Sequence, residues 1–222
     1  MVRRPASAVR PGATGLSREP RRLVLASASP RRQELLRTLG LDFVVVASDA
    51  AELCHPQLTV RELCLVNARR KVLAVAKRFP DDLVLGADTL VCLGATLFGK
   101  PADRAEAARM LARLARRSHE VVTGVCLMHL GGRRERRFAV ATTVTFRPLS
   151  RGQIRAYLDM VNPLDKAGAY AIQEHGEAII AGISGSYSNV VGLPLERLRE
   201  ELAAWPGGAR LVRSGGRAMG RR

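Results

Sequence analysis

Two apolar periodicities alternate along this chain, and their alternation limits the folds open to it more than any other feature. Short runs at Leu23 to Ala26, Phe43 to Ala47 and Leu83 to Leu85 read as strands, and between them apolar residues recur every three or four positions. Ser29-Pro30 marks a helix start, with the serine as N-cap, and Gly40 stands just past the expected end at Leu39. Thr59 and Glu62 form a capping-box signature before a long helix in which Val60, Leu63, Cys64, Ala68, Val72, Val75 and Phe79 share a face until Pro80. Asp103 with Glu106, and Ser150 with Gln153, open two more helices, and a last one runs from Leu195 to about Ala204.

Strands also turn back on themselves. Leu90 to Phe98 reads as a return pair about Gly94, and His119 to Leu130 joins Arg134 to Phe146 through Gly131-Gly132, a hairpin signal. A loop follows through Asn162 to Ala169, then a strand near Ala178 to Ile183. Alternation combined with hairpins predicts an α/β domain around a mixed, twisted sheet rather than a purely parallel one. A chain of 222 residues with 47% hydrophobic content can bury an ordinary core.

The formal charge of +16 raises nucleic acid as a partner until its location is checked. Residues 1–22 hold six arginines against one acid, and residues 206–222 hold five arginines and no acid, so much of the excess lies at the ends. Both ends are rich in Gly, Pro, Ala and Arg, which predicts disordered basic tails over 1–21 and 206–222 around a domain spanning 22–205. No aromatic-basic pattern accompanies the charge, so a specific nucleic-acid role is not expected. Apolar stretches such as Val121 to Leu130 fall short of the roughly 18 to 20 residues a membrane span needs. The N-terminal residues lack the apolar core of a signal peptide. Cys54, Cys64, Cys92 and Cys126 are widely spaced without a CxxC pair, which predicts reduced thiols and a cytoplasmic protein.

The candidate chemistry begins at the first helix. A helix start offers unpaired N–H groups and partial positive charge, so Ser29-Pro30 with Arg31 and Arg32 in the first turn can bind a phosphate. The alternative is two solvated arginines, but arginine in a first turn is unfavourable unless an anion compensates it. "LVLGADTLV" ends a buried strand at Gly86-Ala87 and puts Asp88 where open α/β sheets carry their sites. That carboxylate could hold a divalent cation, take a proton from water, or simply cap a turn. Four lysines, at 71, 77, 100 and 166, stand out against thirty-two arginines. Lys100 and Lys166 lie in Gly/Pro-punctuated loops where a compact charge could meet phosphate oxygens, whereas Lys71 fits a solvated helix face equally well. The four histidines show no ligand spacing, and the Walker pattern GxxxxGK[ST] is absent.

Seven stretches in order, "LASASPRRQELL", "GADTLV", "GKP", "SHEVVTGV", "TTVTFRPLS", "DKAGAYAIQ" and "NVVGLPLERL", resemble the Maf family of nucleoside triphosphate pyrophosphatases from about Arg22 to Trp205. The resemblance implies an elongated, two-lobed α/β protein of the ITPase-like type with a cleft between the lobes, often a homodimer. It implies metal-dependent hydrolysis of a nucleoside triphosphate to monophosphate and pyrophosphate, with Mg²⁺ or Mn²⁺ as the cofactor. By match, Asp88 takes the family's proton-acceptor place, and Arg31, Arg32, Lys71 and Lys100 its phosphate-binding places. Glu52 matches a carboxylate associated with the metal, alongside Asp88. Arg31, Thr89 and Gln173 fall where base specificity is set, and a buried amide such as Gln173 can discriminate base edges strongly. "DKAGAYAIQ" is similar to the branch acting on dTTP and UTP. Two stretches depart from the pattern: Glu174-His175 where many relatives run from Gln to Gly, and Ala115-Arg116 where Ser-Gly is common. Two other roles stay open: inhibition of septum formation through a binding partner, and broad hydrolysis of noncanonical triphosphates.

Overall fold

Strand β1 (Leu23–Leu25) is apolar and buried at every position, so it belongs inside a sheet rather than at its edge. A computed structural model describing residues 19–208 places it between two parallel neighbours, β2 (Phe43–Val45) and β3 (Leu83–Leu93). The sheet continues antiparallel through β5 (Ser118–His129), β6 (Arg134–Phe146) and β7 (Ile180–Ser184), giving the order β2-β1-β3-β5-β6-β7. Strand β4 (Thr96–Phe98) folds back onto the end of β3. The sheet is mixed, as the combination of alternation and hairpins requires.

The helix starts follow the sequence closely. Ser29 caps α1 (Pro30–Arg37), and full capping boxes open α2 (Val60–Ala76) and α4 (Arg151–Met160). Asp103 caps α3 (Arg104–Leu114). The expected strand near 178–183 begins two residues late, because residues 176–179 form the short helix α5 (Gly176–Ile179). Helix α6 (Tyr187–Val191) was not expected; five residues are too few to show a periodic pattern. Helix α7 (Leu195–Ala203) closes the domain. Arg116 adopts φ +62 after α3, so this chain puts a side chain where the more usual glycine would turn without strain.

The largest departure from expectation is in β3. The sequence suggests a strand ending before Asp88 and a separate return pair, yet residues 83–93 form one continuous strand. The cause is β5, which pairs with β3 from Val84↔Met128 to Cys92↔Glu120 and holds Gly86-Ala87 extended. On the other edge, the ladder to β1 ends at Leu85 and the ladder to β4 begins at Val91. Residues 86–90 therefore face an open gap. Asp88 lies in mid-strand beside that gap, not at a strand end.

Helix α2 crosses β3 and β5 unusually closely. A Cβ on Gly86 would lie 2.6 Å from Val72 Cγ2, and one on Gly124 would lie 2.5 Å from the Cys64 carbonyl carbon. Gly124 is the cross-strand partner of Asp88, so the same contact that seats the helix brings it over the carboxylate.

No helix among the described residues is long and apolar enough to cross a membrane. Of the two basic ends expected to be disordered, residues 1–18 and 209–222 lie outside the described residues.

Gly124→Ala should force α2 off the sheet, because the clash is with helix backbone. A loss of about 1–3 kcal/mol, the usual scale of overpacking, is expected in chemical denaturation. Gly86→Ala clashes only with the Val72 side chain, its other neighbours lying at an ordinary 3.6 Å, so adding Val72→Ala should recover most of its loss.

Candidate active site

The gap beside β3 opens into a cavity of about 490 Å³ lined by residues from β1's end, α1, α2, β3 and the loops after β2, β4, α4 and α6. Every residue singled out from the sequence reaches it: Ser29, Arg31, Arg32, Glu52, Lys71, Asp88, Thr89, Lys100 and Gln173. Five cationic side chains, Arg31, Arg32, Lys71, Lys100 and Lys166, share the lining with three carboxylates, Glu52, Asp88 and Asp165. The excess of positive charge suits a polyanionic ligand.

Asp88 sits on the floor, only 3% exposed. Its Oδ1 accepts from Lys71 Nζ at 2.6 Å and its Oδ2 from Asn67 Nδ2 at 3.4 Å. Asn67 and Lys71 are four apart on α2, so they lie on one face and reach the same carboxylate. Lys71 also donates to Glu52 Oε1 at 2.6 Å. Its side chain is 15% exposed, so the solvated-face alternative does not hold.

Asn67 escaped the sequence reading. Its Oδ1 accepts from Leu53 N at 2.7 Å and its Nδ2 donates to Leu53 O at 3.1 Å, a pairing that fixes the loop carrying Glu52. A polar residue inside an apolar helical stripe, four before a lysine, was the signal available. Burial favours the neutral form of Glu52. The hydrogen bond and charge of Lys71, with the charges of Lys100 and Arg32, outweigh it and hold the carboxyl below its ordinary pKa.

The two arginines of α1 divide their work. Arg32 Nε donates to Gly192 O at 2.9 Å, Nη2 to Thr89 Oγ1 at 3.0 Å and Nη1 to Ser27 Oγ at 3.4 Å. It ties the helix start to β3 and to the end of α6. Burial lowers its pKa against the attraction of Asp88; Arg31 adds to the lowering and Glu52 opposes it. Thr89 Oγ1 also pairs with Thr123 Oγ1 at 3.0 Å, so this hydroxyl is committed to holding the arginine. Arg31 instead reaches across the cavity to Asp165, Nη1 to Oδ2 at 2.8 Å. Asp165, directly before Lys166 in the chain, is a further cavity residue that no local pattern in the sequence marks.

Lys166 departs from expectation in another way. It is 5% exposed, and its ammonium is shared among Asn162 O at 2.7 Å, Asp165 Oδ1 at 2.9 Å and Glu174 Oε2 at 3.3 Å. It organises its own loop and presents Asp165 to Arg31. Gln173 lines the cavity but is exposed at its rim rather than buried, so its amide loses water only when a ligand covers it. Of the two departing residues, Glu174 pairs with Lys166, and His175 takes φ +54 at the start of α5. Lys100 is exposed on the loop after β4.

Behind the cavity wall, His119 is 2% exposed, and its Nε2 lies 2.8 Å from Tyr170 Oη. Burial pushes this imidazole down to about 4.

Residues 22–205 match a family model described as Maf-like protein. The dTTP/UTP pyrophosphatase of Symbiobacterium thermophilum is 52% identical over 175 residues, covering 79% of this chain and 89% of that protein. That of Myxococcus xanthus is 53% identical over 173 residues, covering 78% and 87%. The solved structure of the Staphylococcus aureus Ham1 protein aligns over 82% of this chain and 97% of its own, at 16% identity and a TM-score of 0.49.

His119 generates a pH prediction. Its folded pKa lies below the unfolded value near 6.5, so its neutral burial contributes stability that is complete above about 6.5 and lost as pH falls towards 4. The loss should be on the order of 3 kcal/mol. His119→Gln should flatten that part of the stability-versus-pH curve measured by urea unfolding; an unchanged slope would assign the acid sensitivity to other groups.

Proposed function

The chain belongs to the Maf-like protein family, and from that premise we propose that it hydrolyses dTTP and UTP to the monophosphate and diphosphate. The observation that carries this reading is the meeting of one buried carboxylate, Asp88, with five cationic groups on a single cavity. Net positive charge recognises the triphosphate, and the carboxylate activates water.

The residues divide the reaction as follows. The start of α1, with the Ser29 region, Arg31 and Lys100, receives phosphate oxygens, which compensates the helix end and two like charges at once. Arg31 exchanges Asp165 for phosphate, one anion for another, so little desolvation is added. Arg32 and Thr89 act by position, since their polar atoms are bound to each other and to Gly192, Ser27 and Thr123. Asp88 accepts the proton of a water that attacks the α-phosphorus. The bond between that phosphorus and the bridging oxygen breaks, and its electron pair leaves with pyrophosphate. Oδ2 is the better placed acceptor, because Oδ1 already holds the short bond to Lys71. Lys71 and Lys100 meet the charge that accumulates on the leaving group. Gln173 at the rim, covered by the base, reads its edge.

A divalent cation fits the donor set. Asp88 and Glu52 both bind the same cation now, the Lys71 ammonium, which places two hard carboxylates around one positive centre. No group of three or more His, Cys, Asp or Glu that could hold a metal occurs among the described residues. The ion would therefore draw its remaining ligands from substrate phosphates and water, as Mg²⁺ commonly does. When bound it would neutralise charge on the phosphates and polarise the reacting one. With about four negative charges on a triphosphate, a dication leaves roughly two for the cavity's surplus of cations to match.

The test is pyrophosphate release from the canonical triphosphates with Mg²⁺, Mn²⁺ or no metal. dTTP and UTP should be the best substrates, and chelation should abolish turnover. Asp88→Asn should lower kcat by roughly 10²-fold or more with the fold intact by circular dichroism. Near-normal turnover in that variant would remove Asp88 from the chemistry.

A further inference from the structure

The segment that carries Gln173 belongs to no strand, and its backbone needs other partners. Tyr170, Ala171, Ile172 and Gln173 all line the cavity, yet the segment is held from the opposite side by two buried phenols. Tyr157 of α4 is 1% exposed, and its hydroxyl accepts from Ala171 N at 3.1 Å while donating to Ala171 O at 3.3 Å. One hydroxyl thus satisfies both backbone groups of one residue. The same Ala171 carbonyl accepts from Glu174 N at 3.4 Å, closing the four-residue turn in which Gln173 is third.

The neighbouring residue is fixed just as firmly. Tyr170 Oη lies 2.8 Å from His119 Nε2, inside an edge-to-face cluster of His119, Phe146 and Tyr170. Upstream, Gly168 and Ala169 both take left-handed backbone, φ +72 and +64. An alanine holds that conformation only where its surroundings determine it. Gly168 N donates to Gly99 O at 3.0 Å, joining the segment to the loop of Lys100.

We propose that Tyr157 is a positioning residue for nucleobase discrimination, its hydroxyl setting the height and angle of the Gln173 turn over the cavity while taking no part in phosphate chemistry. The inference rests on the triphosphate-hydrolase reading and on Gln173 as the base reader. Its physical basis is the cost of an unpartnered buried donor. Without the hydroxyl, the Ala171 N–H is left buried with no acceptor, and the turn must shift to find water. A shift of even a fraction of an ångström at Ala171 is passed to an amide whose hydrogen bonds depend on alignment. The phosphate-binding groups on α1 and α2 are anchored elsewhere and stay in place, and the loop of Lys100 meets the segment at Gly168, three residues before Ala171.

The experiment compares Tyr157→Phe, which removes one oxygen, with Ile154→Val, which trims the same helix face in the same apolar cluster. Steady-state kcat and KM are measured for dTTP and dCTP on all three proteins, with melting temperatures alongside. Tyr157→Phe should raise KM for dTTP and reduce the dTTP-to-dCTP ratio of kcat/KM by roughly five- to tenfold, the scale of one hydrogen bond. Its kcat for dTTP at saturation should stay within about twofold. Ile154→Val should retain the wild-type ratio whatever it does to the melting temperature. An unchanged ratio in Tyr157→Phe, an equal fall in Ile154→Val, or a loss confined to kcat would overturn the inference. A wild-type protein inert towards every triphosphate would instead overturn the hydrolase reading beneath it.

Discussion

The close seating of α2 on the sheet is the constraint on which the site depends. A helix normally packs on a sheet through side chains on both surfaces, which keeps its own polar groups several ångströms from the strands. Here Gly86 and Gly124 remove the side chains from the strand surface; the Val72 side chain occupies the space over Gly86, and helix backbone at Cys64 and Leu65 occupies that over Gly124. The gain is reach: Asn67 and Lys71, on consecutive turns, touch a carboxylate that a normally spaced helix would leave alone. Asn67 extends the effect outward by gripping Leu53, which brings Glu52 to the same lysine.

The electrostatics of the cavity follow from that geometry. Several of its cations rest on carboxylates: Lys71 on Asp88 and Glu52, Arg31 and Lys166 on Asp165. These pairs keep charged side chains ordered and partly desolvated before any ligand arrives. A phosphate that replaces a carboxylate beside Arg31 exchanges one charge-assisted hydrogen bond for another, which lowers the reorganisation needed for binding. Arg32 has the complementary task. With its guanidinium bound on three sides, it sets the distance between the helix start and β3.

Sequence and structure agree best where the determinants are local. The caps at Ser29, Thr59, Asp103 and Ser150 each depend on residues within three positions, and each forms as read. Asp88 was legible as a residue that would line a cavity, but its setting was not. A glycine next to alanine suggested the end of a strand, whereas pairing with β5, thirty or more residues away in sequence, kept the strand extended. Asn67 was not legible as a partner of the carboxylate, because Leu53 and Asp88 lie 14 and 21 positions away. Asp165 was hidden for the same reason, its bond to Arg31 spanning 134 positions.

What the sequence by itself determined was most of the elements, short of α5, α6 and the full length of β3, together with the mixed character of the sheet and the inventory of groups able to meet a nucleotide. Those follow from periodicity, capping and side-chain chemistry, which act over a few residues. Tertiary structure decided which of those groups remain available. It left Arg31 and Lys100 facing the cavity, committed Arg32 and Lys166 to holding it together, and moved Gln173 from an expected burial to the rim. The reason is that a charged or polar group's role depends on which partner satisfies it, and most of these partners meet only when distant parts of the chain pack together.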